Sequence, residues 1–213
     1  MNPHPTVFWF FGRSGAGKTT LAQRLRDGLL SRRLPVVFLD ADDLRSTLSS
    51  DLSFTPEARL ENHRRIAEVA RLLVRQDLHV IVSTMAPEYR HRDLALEILD
   101  QNLVWFYIHA PLEVCIRRDP KGLYRRALAG QVARLIDYPF DAPRPEEDQH
   151  RIDTVAENVD ECAHAILAVA EARLSGRSPG SLSAREPAAG SLCTNALPET
   201  SFATGNAPNF HNS

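Results

Sequence analysis

Eight consecutive residues, Gly12-Arg13-Ser14-Gly15-Ala16-Gly17-Lys18-Thr19, follow the spacing G-x-x-x-x-G-K-[S/T] of a phosphate-binding loop. The glycines let the backbone turn tightly with its amides facing phosphate oxygens, and a following helix would add the positive end of its dipole. Lys18 is placed to reach the terminal phosphates and Thr19 to ligate a magnesium ion, so Gly12 to Thr20 is the expected ATP-binding segment.

A second cluster follows about twenty residues on. Val36-Val37-Phe38-Leu39 reads as a buried strand that runs directly into Asp40-Ala41-Asp42-Asp43-Leu44-Arg45. In a parallel sheet the carboxyl ends of the strands share one edge, which would set these groups beside the phosphate loop. One carboxylate could support the metal, a second could accept the proton of an attacking hydroxyl, and Arg45 could bind an anionic acceptor. One of the aspartates could instead cap a helix, but that would not account for all three together with Arg45. The third strand, Val80-Ile81-Val82-Ser83-Thr84, ends without an aspartate, which favours a small-molecule kinase over motor ATPases and GTPases.

Lysine usage adds a third candidate. Of 25 basic residues only Lys18 and Lys121 are lysine, the second within Asp119-Pro120-Lys121-Gly122-Leu123-Tyr124. A guanidinium fork does not replace a compact ammonium as a phosphate ligand, which marks Lys121 for attention beside the alternative of chance placement. A further pair lies on the longest helical stretch, where Thr55 is a suitable N-cap and Pro56 a suitable first residue. Ile66, Val69, Ala70 and Leu73 form its apolar stripe, which at about 3.6 residues per turn continues through Arg59 and Asn62 while Arg64, Arg71 and Arg75 face solvent. Inward polar groups need a partner, so Arg59 and Asn62 are expected to reach a ligand cleft. Phe54 beside them could staple the helix start or stack on a base.

The elements needed to position these groups alternate along the chain. Strands are expected at 6–11, 36–39, 79–84, 103–108 and, more weakly, near 151–154; helices at 18–31, 56–76, 87–100, 111–129 with a break, and 156–174. Leu21, Leu25 and Leu29 give the first helix its apolar edge. Such alternation predicts an α/β fold of phosphate-loop type, a parallel sheet with helices on both faces. The expected kinase domain is 1–174. From Ser175 to Ser213 the composition turns to Ser, Gly, Pro, Ala, Thr and Asn without apolar periodicity, as in a disordered tail.

A formal charge of −2 over 213 residues implies no pull toward nucleic acid. Cys115, Cys162 and Cys193 lack metal-site spacing and fit unpaired packing thiols of a reducing compartment. Neither a leader pattern nor an apolar run of membrane-spanning length occurs, and a cytoplasmic location without membrane partners is expected.

Over about residues 6 to 174 the chain resembles the adenylylsulfate kinases, which use ATP to phosphorylate the 3'-hydroxyl of adenosine 5'-phosphosulfate. The resemblance rests on G-R-S-G-A-G-K-T-T, L-D-A-D-D-L-R, D-L-S-F-T-P-E-A-R-L-E-N-H-R-R, P-L-E-V-C-I-R-R-D-P-K-G-L-Y and the late D-A-P. It implies that Asp42, Arg45, Phe54, Arg59, Asn62 and Lys121 bind the acceptor and that Asp40 and Asp42 share the metal and base roles. It further implies that Arg117 or Arg118 lies over the ATP adenine, that residues 117–135 form a lid, and that the chain is a homodimer.

Several positions depart from the family pattern. Asp40-Ala41-Asp42-Asp43 stands where the family has D-G-D-N, and Arg134-Leu135-Ile136-Asp137-Tyr138 is about two residues shorter than the F-T-G-I-D segment whose phenylalanine stacks on the acceptor base. Leu135 is the nearest counterpart of that phenylalanine. The family's lid arginine and glutamate fall at Leu128 and Gln131, and its serine after the third strand at Ala86, which closes a covalent route there. The altered pocket leaves another activated nucleotide, such as a cytidine diphosphoramidate, as an alternative acceptor; a nucleotide-sensing module is the alternative outside enzymes.

Overall fold

The structure, a computed structural model, describes residues 4–131 and 139–176. Strands β1 (Val7–Phe11), β2 (Val36–Asp40), β3 (His79–Ser83), β4 (Leu103–His109) and β5 (Arg151–Asp153) form one parallel sheet in the order β2-β3-β1-β4-β5. The order reverses at β1, between β3 and β4, which opens a crevice at the carboxyl edge where the phosphate loop begins.

Both faces of β1 are covered, which is why its sequence shows no polar alternation. Phe8 and Phe10 pack on one side with Phe106, Leu21, Leu25 and Ile166. Val7, Trp9 and Phe11 pack on the other with Trp105, Tyr107, Ile66 and Ala70. The helices carrying these side chains are α1 (Lys18–Ser31) and α8 (Val159–Leu174) on the first face, and α3 (Pro56–Val74) and α4 (Tyr89–Leu99) on the second. Every strand expected from the sequence is present, each within a residue or so of its expected limits.

Helix boundaries follow their caps. Thr55 accepts from Ala58 N at 3.2 Å with Pro56 at the first turn. The last helix begins at 159 rather than 156 because Asn158 accepts from the amides of Asp160 and Glu161, both at 3.0 Å. The stretch 111–129 divides into α5 (Leu112–Arg118) and α6 (Leu123–Leu128), and two short helices absent from the sequence expectation, α2 (Ala41–Ser46) and α7 (Pro145–Asp148), complete the set. On α3 the buried stripe is Asn62, His63, Ile66, Ala67, Ala70 and Val74, with Val69 and Leu73 only partly buried, because the helix packs on α4 as well as the sheet. The tail from 177 to 213 lies outside the described residues.

Candidate active site

The phosphate loop is shaped by what surrounds its glycines. A Cβ on Gly12, at φ +147°, would sit 2.2 Å from the Ile108 carbonyl oxygen, and one on Gly15, at φ +78°, 2.8 Å from that of Cys115. Only glycine permits the loop to lie this close to β4 and α5. Beyond the loop, Lys18 Nζ donates to the Arg13 carbonyl at 2.8 Å, and burial pulls its ammonium down to about 8. Thr19 Oγ1 donates to Asp40 Oδ2 at 3.0 Å and lies 3.4 Å from Ser83 Oγ.

That contact explains the strand that lacks an acid. Asp40 ends β2 directly opposite Ser83 at the end of β3, so the neighbouring strand delivers a carboxylate to the loop threonine. Asp40 also caps α2, its Oδ1 accepting from Asp42 N at 2.9 Å. Thr19, Asp40 and Ser83 together offer the hard oxygen ligands that Mg²⁺ takes alongside substrate phosphates. Among the described residues no group of three His, Cys, Asp or Glu could hold a metal by itself, as is normal for a cation held mainly through phosphate.

The segment Asp119–Tyr124 is built to bring Lys121 to this place. Asp119 accepts from the amides of Tyr124 and Arg125 at 3.1 and 2.9 Å, Gly122 turns the chain at φ +63°, and Tyr124 OH donates to the Ser14 carbonyl at 3.0 Å. Lys121 then forms an ion pair with Asp42, 79 residues away in sequence. Burial lowers the lysine's pKa, but the bond to Asp42 and the fields of Asp42, Asp40 and Asp43 outweigh it and raise the pKa above the usual lysine value.

One cavity of about 1660 Å³ connects these groups to the start of α3, larger than the roughly 300–1,000 Å³ that suits one small ligand. Of the candidate residues, Ser14, Gly15, Gly17, Lys18, Thr19, Thr20, Asp40, Asp42, Arg45, Phe54, Arg59, Asn62, Arg118 and Lys121 all line it. Phe54 is 72% exposed, with the Arg45 and Arg59 guanidiniums 4.7 and 5.7 Å from its ring centroid. In place of a hydrophobic staple, Phe54 makes a cation–π contact with Arg59 at the fourth helical position, and the ring stays largely exposed on the cavity wall.

Four candidates fall elsewhere. Gly12, Arg13 and Ala16 shape the loop from behind: Ala16 is fully buried and the Arg13 guanidinium lies over Phe140 at 4.9 Å. Arg117 is exposed and outside the cavity wall, because it sits about 100° round α5 from Arg118. Arg118 itself is held by Thr154, its Nη1 donating to Oγ1 at 2.9 Å and its Nη2 to the carbonyl at 2.7 Å. Leu135, with the rest of 132–138, lies outside the described residues.

The cavity also includes residues that sequence reasoning missed: Thr84, Thr154, Arg126, His63 and His91. His63 follows Asn62 on the inward face one turn from Arg59, a placement that could have revealed it. Arg92, fully buried beneath the site, had no comparable signal. It pairs with Glu147 at 3.1 Å and donates to the carbonyls of Ala86 and Pro87 at 2.8 and 3.2 Å and of Asp141 at 3.2 Å. It thereby holds Ala86 at φ +36° and ties the late D-A-P segment to the loop after β3.

A phosphate loop at the switch point of a parallel sheet, with a carboxylate on its threonine and Arg45, Arg59 and Lys121 lining the same cavity, defines a P-loop phosphotransferase. The adenylylsulphate kinase family model matches residues 4–150. Similar proteins include the adenylyl-sulfate kinase of Paraburkholderia xenovorans, 48% identical over 64% of this chain and 78% of that protein, and that of Pseudomonas aeruginosa, 39% identical over 78% and 86%. Among solved structures, the Mycobacterium tuberculosis APS kinase CysC in complex with AMPPNP and APS superposes with a TM-score of 0.75 at 34% identity, covering 79% of this chain and 99% of that one. The chain belongs to the adenylylsulphate kinase family and is an enzyme that transfers a phosphoryl group to a hydroxyl.

Proposed function

We propose that this enzyme transfers the γ-phosphoryl of ATP in line to the 3'-hydroxyl of adenosine 5'-phosphosulfate. The observation that carries the reading is the single cavity lined both by Lys18 and Thr19 of the phosphate loop and by Asp42, Arg45, Phe54, Arg59, Asn62 and Lys121. A sensor module needs no second site of that kind. In this reading Lys18 binds the terminal phosphates, Asp42 accepts the proton of the attacking hydroxyl, and Arg45, Arg59 and Lys121 hold the acceptor's anionic end. Thr19 and Asp40 would hold Mg²⁺, which, when bound, neutralises charge on the phosphates. Phe54 would stack on the acceptor base and Arg118 would flank the donor adenine. The naming of the relatives as adenylyl-sulfate kinases supports this acceptor over a cytidine-based one.

A coupled ADP-release assay over a panel of nucleotide acceptors tests the assignment. Release is expected with adenosine 5'-phosphosulfate, and Lys18→Ala should lower the rate at least about a hundredfold. Faster turnover with a cytidine-based acceptor, compared by kcat/KM side by side, would replace the acceptor while keeping the kinase. A homodimer belongs to the same proposal and is checked by light scattering of the purified chain; a cytoplasmic location belongs to it too and is checked by cell fractionation.

A further inference from the structure

The chain between α2 and α3, residues 47–55, contains no helix or strand, yet two cavity-lining residues depend on it: Arg45 precedes it and Phe54 lies near its end. Because Phe54 is 72% exposed, apolar burial does little to fix its ring, and the ring's place depends on how the loop backbone is held. Charge opposes that place. The Arg45 and Arg59 guanidiniums lie against the same ring as like charges, and burial and then Arg59 pull the Arg45 pKa down while Asp51 works the other way.

Arg65, six residues beyond Arg59 on α3, grips this loop from outside the cavity. Its Nη1 donates to the Leu48 carbonyl at 3.0 Å and to Asp51 Oδ1 at 2.6 Å, its Nη2 to Asp51 Oδ2 at 2.8 Å, and its Nε to Glu61 Oε1 at 3.0 Å. A guanidinium forked onto a carboxylate fixes direction as well as distance. Leu48 and Asp51 lie between Arg45 and Phe54 in sequence, and Arg45 Nη2 donates to the Ser53 carbonyl, so α3, the loop and both cavity residues form one connected set. The adjacent Arg64 donates twice to Glu61, at 2.7 and 2.8 Å, and among the described residues makes no hydrogen bond to the loop. Partly exposed pairs such as Arg65 and Asp51 contribute little to global stability; their effect is local, on a segment that can open by itself.

We propose that Arg65 is a positioning residue for the acceptor: by clamping Asp51 and the Leu48 carbonyl it holds the 47–55 loop so that Phe54 and Arg45 present a preformed wall to the nucleotide. Arg65, Asp51 and Leu48 are not among the residues that line the cavity, so they act through the loop alone. This inference rests on the acceptor nucleotide occupying the part of the cavity lined by Arg45 and Phe54.

The test compares full-length wild type, Arg65→Gln, Arg65→Lys, Asp51→Asn, the double variant Arg65→Gln with Asp51→Asn, and Arg64→Gln in the ADP-release assay with adenosine 5'-phosphosulfate. Arg65→Gln should raise the acceptor KM about tenfold with kcat and the KM for ATP little changed, the pattern of lost uniform binding. Arg65→Lys should recover only part, since an ammonium cannot make the fork, and Arg64→Gln should behave as wild type. The double variant should be no worse than the more severe single one, because either change already opens the clamp. Amide exchange over 47–55 in the ligand-free protein should be faster in Arg65→Gln, with the urea midpoint nearly unmoved. An unaltered acceptor KM or unaltered loop exchange in Arg65→Gln overturns the inference, as do additive effects in the double variant or an Arg64→Gln defect of equal size. Should Arg65→Gln not fold, Asp51→Asn decides by the same readings. A wild type inactive with every nucleotide acceptor overturns the proposed function and the acceptor role with it, whereas an active wild type with an unaltered acceptor KM in Arg65→Gln overturns this inference alone.

Discussion

Asp42 and Lys121 neutralise one another across the mouth of the cleft, so in this arrangement neither is committed to substrate. In the proposed reaction an incoming anion would compete with Asp42 for the ammonium, and its capture would release the carboxylate to act as a base. Asp42→Asn is nearly isosteric and cannot accept a proton; it should keep the fold and ATP binding while kcat falls by about 10²–10⁴. Loss of ATP affinity at an unchanged rate would assign Asp42 to metal support instead. The histidines make a separate prediction about stability. Burial, with the charges of Arg59 and Arg45 and against that of Glu88, pushes His63 down to about 4; burial, His63, Arg90, Arg59 and Arg92 push His91 down to about 2. The unfolded chain then binds more protons than the folded one below the ordinary histidine pKa near 6.5. Stability is complete above that pH and declines as pH falls toward 4, by up to about 3 kcal/mol from His63 alone at about 1.4 kcal/mol per pKa unit. Urea titrations at pH 7 and 4.5 should show the loss, and His63→Gln should reduce it.

Between elements, the fully buried Arg92 does what no single helix contact could. Its guanidinium lies 5.2 Å from the Phe11 ring centroid and 4.9 Å from that of Tyr89 while bonding carbonyls on both sides of α4 and the Glu147 carboxylate of α7. Glu147 is equally committed, its Oε2 accepting from Arg144 N at 2.8 Å. Replacing Arg92 with Met would strand a buried carboxylate and several carbonyls, an expected loss of about 3–5 kcal/mol. Arg92→Met with Glu147→Gln should cost less than the sum of the single changes, because the second removes the charge that the first exposes. Additive losses in chemical denaturation would mean that the pair is not coupled.

On the scale of the whole molecule, α8 ends with its own cap, Ser175 N donating to the Glu171 carbonyl at 2.9 Å, and Arg173 bonds the Gln101 carbonyl. Truncation after Gly176 keeps those bonds. It should leave the melting temperature within a few degrees and the kinetic constants unchanged, since the removed segment lacks a core-forming pattern. A large drop in either would give the tail a structural role. No described helix is long and apolar enough to cross a membrane.

Local order in the chain determined a good deal of this protein. The phosphate loop, the strand-helix alternation, the cap at Thr55, and the inward turn carrying Arg59 and Asn62 are short-range features, written in residue spacing because backbone sterics, hydrogen-bonding reach and helical periodicity act over a few residues. Only the tertiary structure decided which of these groups meet. The pairing of Lys121 with Asp42, the supply of Asp40 to Thr19 in place of an acid on β3, the hold of Thr154 on Arg118 at the cavity wall, and the Arg92 hub each join residues from separate elements. Those contacts depend on strand order and on helix packing over the sheet, and burial then gives them their energies, raising the cost of an unpaired charge and the value of a satisfied one. His63 and His91 show the division most plainly: in sequence they are two ordinary histidines 28 positions apart, and in the fold they are buried rings in contact, 4.4 Å between centroids and tilted by 38°.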